Sequence, residues 1–151
     1  MSKIQKVLVT GKTHTTASDA AGLSHSHDGN LNITLSTPGN ASAREHAFLA
    51  VEPHPTAEQL FAGAWSACYI AAVGIVAKER QVVLPPETAA DIEVDLGMTG
   101  KEYFIQARLN LIVPGVDYDT ALAIAHGAEQ MCPYSKAIRG NIDVALNVVT
   151  A

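Results

Sequence analysis

The chain has 151 residues, 48% of them hydrophobic, which is the length of one domain with enough apolar material for a core and too much for a disordered chain. Ten basic residues against fifteen acidic give a net charge of −5, no basic cluster is present, and aromatics are only 5%, so no nucleic-acid partner is expected. Met1 to Lys6 holds no apolar run of the kind that opens a secretion signal, so the expected location is a reducing cytoplasm, where disulfides are more often transient than structural.

In chain order, residues 4–10 read as a strand, and so do residues 31–36, where Leu31, Ile33 and Leu35 alternate onto one face. Asp28-Gly29 is a turn signal, and residues 21–27 are expected to form the preceding hairpin arm. His25 and His27 share a strand face, but no carboxylate or cysteine stands at ligand spacing, so no metal site is expected. Ala47–Val51 is expected as a short strand, stopped by Pro53 and Pro55.

A long helix is expected from Thr56 to about Arg80. Thr56 and Gln59 fit a capping box, and Glu58 suits the positive end of the helix dipole. Leu60 to Ala77 carries no charge over 18 residues, enough to raise a membrane span. Its Ala, Gly and Ser content and its charged flanks favour a buried central helix, with no membrane partner. Residues 89–97 and 103–113 alternate as a hairpin through Gly97–Lys101. Asp117–Met131 reads as a second helix with Ala121, Ile124, Ala125 and Ala128 on its apolar face. Cys132-Pro133 ends it or opens a new turn, with Tyr134 and Ser135 shaping that turn. Arg139-Gly140-Asn141 closes it, and Ile142 to Val149 is a last strand. His126 is expected as a packed or surface residue.

The order implies a single α+β domain over residues 1–151, with mostly antiparallel sheets around a long buried helix. One small sheet is hard pressed to cover a helix that is apolar all round, so a homodimer burying two such helices is expected.

The chain has two cysteines, Cys68 and Cys132, 64 residues apart and each in predicted helix. By residue pattern alone they are either two buried core thiols or a working redox pair. A nucleophilic Cys68 needs a nearby cation, because a thiol at its reference pKa of ~8.5 is mostly protonated at neutral pH and burial raises it further. No Lys, Arg or His lies within a helical turn of it.

Thr56-Ala-Glu-Gln-Leu-Phe-Ala-Gly-Ala-Trp-Ser-Ala-Cys68 resembles the first cysteine helix of organic hydroperoxide resistance proteins, in the superfamily of osmotically inducible protein C (OsmC). Cys132-Pro-Tyr-Ser-Lys-Ala-Ile-Arg-Gly-Asn-Ile-Asp-Val144 is similar to their second cysteine motif, and Lys6–Thr10 and Leu31–Ser36 also fit. The resemblance implies an OsmC-like fold, an intertwined homodimer and thiol peroxidase activity on organic hydroperoxides in oxidative stress. It implies Cys68 as peroxidatic, Cys132 as resolving and Glu58 as the acid of the family's Arg–Glu pair. It implies no bound cofactor; the reductant is an external dithiol, a dihydrolipoyl group on a lipoylated protein. The family arginine has no counterpart in Thr15–Gly22; Arg44, in a segment longer than the family's glycine-rich loop, is the expected replacement.

Attack of a Cys68 thiolate on a peroxide O–O bond gives a sulfenic acid and an alcohol, and Cys132 then closes a disulfide that a dithiol reopens. Phe61, Trp65 and Tyr69 are expected to line an apolar substrate pocket. Glu58 and Cys68, ten residues apart on one helix, stand roughly 15 Å apart along its axis, so Glu58 is expected to serve the partner's site. The alternative is a non-peroxidase protein of the same fold, holding a small apolar ligand in the dimer pocket.

Overall fold

The structure, a computed structural model, describes residues 3–16 and 56–151 in full and the backbone of residues 31–37 and 40–48. Six strands form one sheet in the order β2-β3-β1-β4-β5-β6. They are β1 (Lys6–Thr16), β2 (Leu31–Thr37), β3 (Asn40–Phe48), β4 (Ala89–Thr99), β5 (Glu102–Ile112) and β6 (Asp143–Val149). Helices α1 (Ala57–Glu79), α2 (Tyr118–Met131) and α3 (Pro133–Ile138) are the other elements among the described residues. This is the expected α+β class, with two refinements. The strands make one sheet, and its last pair, β5 with β6, is parallel because α2 and α3 form the crossover between them.

Local chemistry explains the elements. Thr56 caps α1 with both halves of a capping box: its hydroxyl accepts from the Gln59 N–H, and its own N–H donates to the Gln59 side chain. Asp117 caps α2 through the Thr120 N–H. The β4–β5 hairpin turns tightly on Gly100, whose φ of +59° suits a glycine. The inner faces of β4 and β5 present Ile92, Val94, Leu109 and Leu111, all fully buried, to Trp65, Tyr69, Ile70 and Val73 of α1 and Ile124 of α2. Burying each such side chain stabilises the fold by roughly 1.5–3 kcal/mol.

Two expectations are corrected here. β1 runs on to Thr16, well past Thr10, because Thr13 and Thr15 serve as inward-facing residues; Thr15 Oγ1 donates to Ser66 Oγ on α1 at 2.8 Å. The strand expected at Ala47–Val51 is β3, Asn40–Phe48, so Arg44 stands in a ladder with Leu35 opposite it. Residues 21–27, with His25 and His27, lie outside the described residues, as do residues 49–55. His126 is exposed.

The open face of the sheet is polar and built in cross-strand rows. Arg108 Nη1 and Nη2 donate to Asp95 at 2.6 and 2.9 Å, while its Nε donates to Glu93 at 2.7 Å. Lys12 Nζ lies 2.7 Å from Glu93, and Thr10 and Gln106 complete the shell of Asp95. In the next row His14 pairs with Asp91, and that bond raises the His14 pKa above its ordinary 6.5. A raised folded value contributes stability that is complete below the unfolded pKa and is lost as pH rises through the folded one. His14→Gln should therefore lower the thermal midpoint at pH 5.5 by a small amount, both partners being well exposed, and have no effect at pH 9. Midpoints measured across that range check the sign.

Gly11 carries the close approach between β1 and α1. A Cβ there would fall 2.5 Å from the Gln59 nitrogen and 2.7 Å from the Glu58 carbonyl carbon. Gly11→Ala should push the start of α1 off the sheet and destabilise the fold by about 1–3 kcal/mol, read by urea unfolding.

Candidate thiol site

Helix α1 and the α2–α3 junction bring the two cysteines together. Cys132 is at once the C-cap of α2 and the N-cap of α3, in an extended conformation at φ −60° and ψ 121°. Its N–H donates to the Ala128 carbonyl and its carbonyl accepts from Lys136, so it is a corner held from both sides. Pro133 follows at the first position of α3, where its fixed φ fits and its missing N–H costs nothing. The first free N–H of α3 is therefore that of Tyr134, and it stands close enough to the Cys68 sulfur to favour its thiolate.

Cys68 and Cys132 are both free thiols and lie against each other. They differ in access: Cys132 is fully buried and Cys68 is half-buried. Burial, and then the neighbouring Cys132 thiol, push the Cys68 thiol up to about 11, against the Tyr134 N–H, which pulls it down. Among the described residues no cationic side chain contributes to that balance. Tyr69 is buried beside the pair; its hydroxyl donates to the Ala125 carbonyl at 3.0 Å, and burial raises its pKa.

Phe61 meets Trp65 edge to face, with ring centroids 6.2 Å apart. Trp65 is buried, and its indole N–H donates to Ser135 Oγ at 3.0 Å. On the far side of that bond a cleft of about 200 Å³ is lined by Trp65, Ser135, Ile138, Ile142 and Val144, with Glu129 and Arg139 beside Gly140. Arg139 is tied to Glu129 through Nε at 3.3 Å and Nη2 at 3.1 Å. Tyr69 does not line this cleft. Glu58 sits half-exposed in the first turn of α1, and α1 runs unbroken from there past Cys68. Arg44 is placed by backbone register: it is two residues from His46, which stands opposite Thr15. The contacts of Tyr134 and Ser135 were not visible in the sequence, where the two residues read only as turn formers.

Alpha1 has one uncovered side. Leu60 is 53% exposed and Ile75 51%, with Phe61, Ala64, Ala67, Cys68, Ala71 and Gly74 between them at helical spacing. The helix is long and apolar enough to cross a membrane, but 56% of its most apolar window is buried against the sheet and α2.

The family described as OsmC-like protein matches residues 50–147. The chain belongs to that family, on its organic hydroperoxide resistance branch. An organic hydroperoxide resistance protein of Xanthomonas axonopodis pv. citri is 36% identical over 149 residues, covering 98% of this chain and 99% of its own. The organic hydroperoxide resistance protein OhrA of Bacillus subtilis is 32% identical over 82% of this chain and 84% of its own. Among solved structures, that of an organic hydroperoxide resistance protein from Elizabethkingia anophelis superposes with a TM-score of 0.62 at 31% identity, over 69% of this chain and 74% of that one. The OsmC-like match begins before α1 and runs through both cysteines into β6.

Proposed function

We infer that the protein reduces organic hydroperoxides with Cys68 as nucleophile and Cys132 as resolving thiol. The observation that carries this reading is the contact between a half-buried Cys68 and a fully buried Cys132 across α1 and the α2–α3 corner. The half-buried thiol can meet a peroxide, and the fully buried one can meet only its neighbour. The names of the relatives agree with the substrate class. The resetting dithiol is a dihydrolipoyl group on a lipoylated protein, and the setting is the cytoplasm.

The uncovered apolar side of α1 supports a homodimer, since a contiguous apolar strip around a reactive thiol is the kind of surface a second copy covers. In that arrangement Glu58, about three helical turns before Cys68, acts at the partner's site. Arg44 is the proposed activating cation. The register supports it: Thr15, opposite His46, is bonded to Ser66, two residues before Cys68.

A second reading keeps the fold and loses the chemistry. It is favoured by the Cys68 thiol standing near 11 with no cation acting on it among the described residues. In that reading the site beside Trp65 and Phe61 holds a small apolar ligand. The deciding measurement is consumption of cumene hydroperoxide against hydrogen peroxide, with dihydrolipoamide as reductant. Fast turnover of the organic peroxide supports the reductase. No turnover from a folded, fully reduced protein leaves the ligand-binding reading.

A further inference from the structure

We propose that the hydrogen bond from Trp65 Nε1 to Ser135 Oγ positions Cys132 for the resolving step, an inference that rests on the hydroperoxide-reductase reading. In the resting site the Cys132 thiol lies against Cys68, and the Tyr134 N–H stands close to the Cys68 sulfur. Both contacts end on the atom that reacts. When the Cys68 thiolate takes the distal oxygen of the peroxide, the O–O bond breaks, the alkoxide leaves and is protonated to the alcohol, and the sulfur becomes S–OH. Neither resting contact survives in its original form.

What then keeps the corner in place has to lie off the reacting sulfur. The backbone bonds of Cys132 are local to α2 and α3 and do not reach α1. The ion pair of Arg139 with Glu129 also runs from the end of α3 back to α2. The Tyr69 bond to Ala125 fixes α2, but two turns before the corner. Away from the reacting sulfur, the Trp65–Ser135 bond joins α1 to α3. It is buried at both ends, one helical turn before Cys68 and three residues after Cys132.

The second step then has two competing outcomes. Cys132 S–H attacks the Cys68 sulfur, the S–O bond breaks, and a disulfide and one water result. Otherwise a second hydroperoxide gives up an oxygen to the sulfenic acid, yielding sulfinic acid and another alcohol. Ser135 favours the first outcome by holding the buried thiol within reach.

The test uses the full chain with Ser135→Ala and Ser135→Thr, each treated with cumene hydroperoxide. Dimedone trapping follows the sulfenic acid, and mass spectrometry follows disulfide and sulfinic acid. In Ser135→Ala the sulfenic acid should form at the wild-type rate, and disulfide formation should slow by about tenfold, the scale of one buried hydrogen bond. Sulfinic acid should rise in step, and Ser135→Thr, which keeps the hydroxyl, should restore the wild-type partition. Wild-type partition in Ser135→Ala, or a Ser135→Thr protein that behaves like Ser135→Ala, overturns the role. A wild-type chain that forms neither dimedone adduct nor disulfide overturns the reductase reading and this inference with it.

Discussion

Cys68→Ser should abolish consumption of organic hydroperoxide, a fall of about a thousandfold or more, the scale of losing a nucleophile. Cys132→Ser should behave differently. It should complete one turnover and stop, with Cys68 accumulating as sulfenic and then sulfinic acid. The contrast follows from access: Cys68 opens to the outside, and Cys132 does not. Equal residual turnover in both variants would show that neither thiol has the role given to it. The pH dependence separates the cation from the rest of the site. Burial and the neighbouring thiol push Cys68 up to about 11, and no cation among the described residues counters them. Alkylation of Cys68 in Arg44→Ala should then climb about tenfold per pH unit from neutral pH upward. With Arg44 in place, the wild-type rate should level off at lower pH. Superimposable profiles would remove Arg44 from the site.

Arg108→Ala should be the most destabilising change on the open face of the sheet, costing about 2–3 kcal/mol after discounting for the exposed guanidinium. Asp95, whose side chain is 3% exposed, would lose two of its four donated hydrogen bonds and its only ion pair among the described residues. Glu93 would keep Lys12 alone. Arg108, ahead of the bonds from Gln106 and Thr10, holds the Asp95 carboxyl well below the usual carboxylate range. A depressed folded value stabilises above the unfolded pKa and is lost as pH falls toward the folded one. The wild type should therefore lose its advantage over Arg108→Ala as pH drops from about 5 to about 2, measured by denaturant midpoints. An advantage unchanged over that range would show that the pair acts by packing rather than charge.

What could be read in the sequence was what alternates or caps. The Thr56–Gln59 box, the β4–β5 hairpin and the Asp117 start of α2 are written in local chemistry, and each stands where the residues place it. The far half of β1 is different. Its inward residues are Gly11, Thr13 and Thr15, so no apolar alternation marks it, and only the bond from Thr15 to Ser66 across the fold shows why threonine belongs inside. β3 hides for a similar reason, since Asn40–Phe48 is polar and its strand character comes from pairing with β1 and β2. At the site, the two cysteines announce themselves by type. Tyr134 acts through a backbone N–H, which carries no side-chain signal, and Ser135 through a partner 70 positions away.

The parallel pairing of β5 with β6 has a kinetic consequence. A hairpin strand can zip onto its neighbour as soon as its turn forms, but β6 can join β5 only by closing the long connection through α2 and α3. The corner that carries Cys132 lies inside that crossover, so we expect its seat beneath α1 to be completed late in folding. A newly made chain therefore passes through a period with two unpaired thiols and no resolving geometry. During that period an oxidant meeting Cys68 would find nothing poised to rescue it. In the proposed chemistry, protection of Cys68 from irreversible oxidation is thus a property of the finished fold and not of the two cysteines as such.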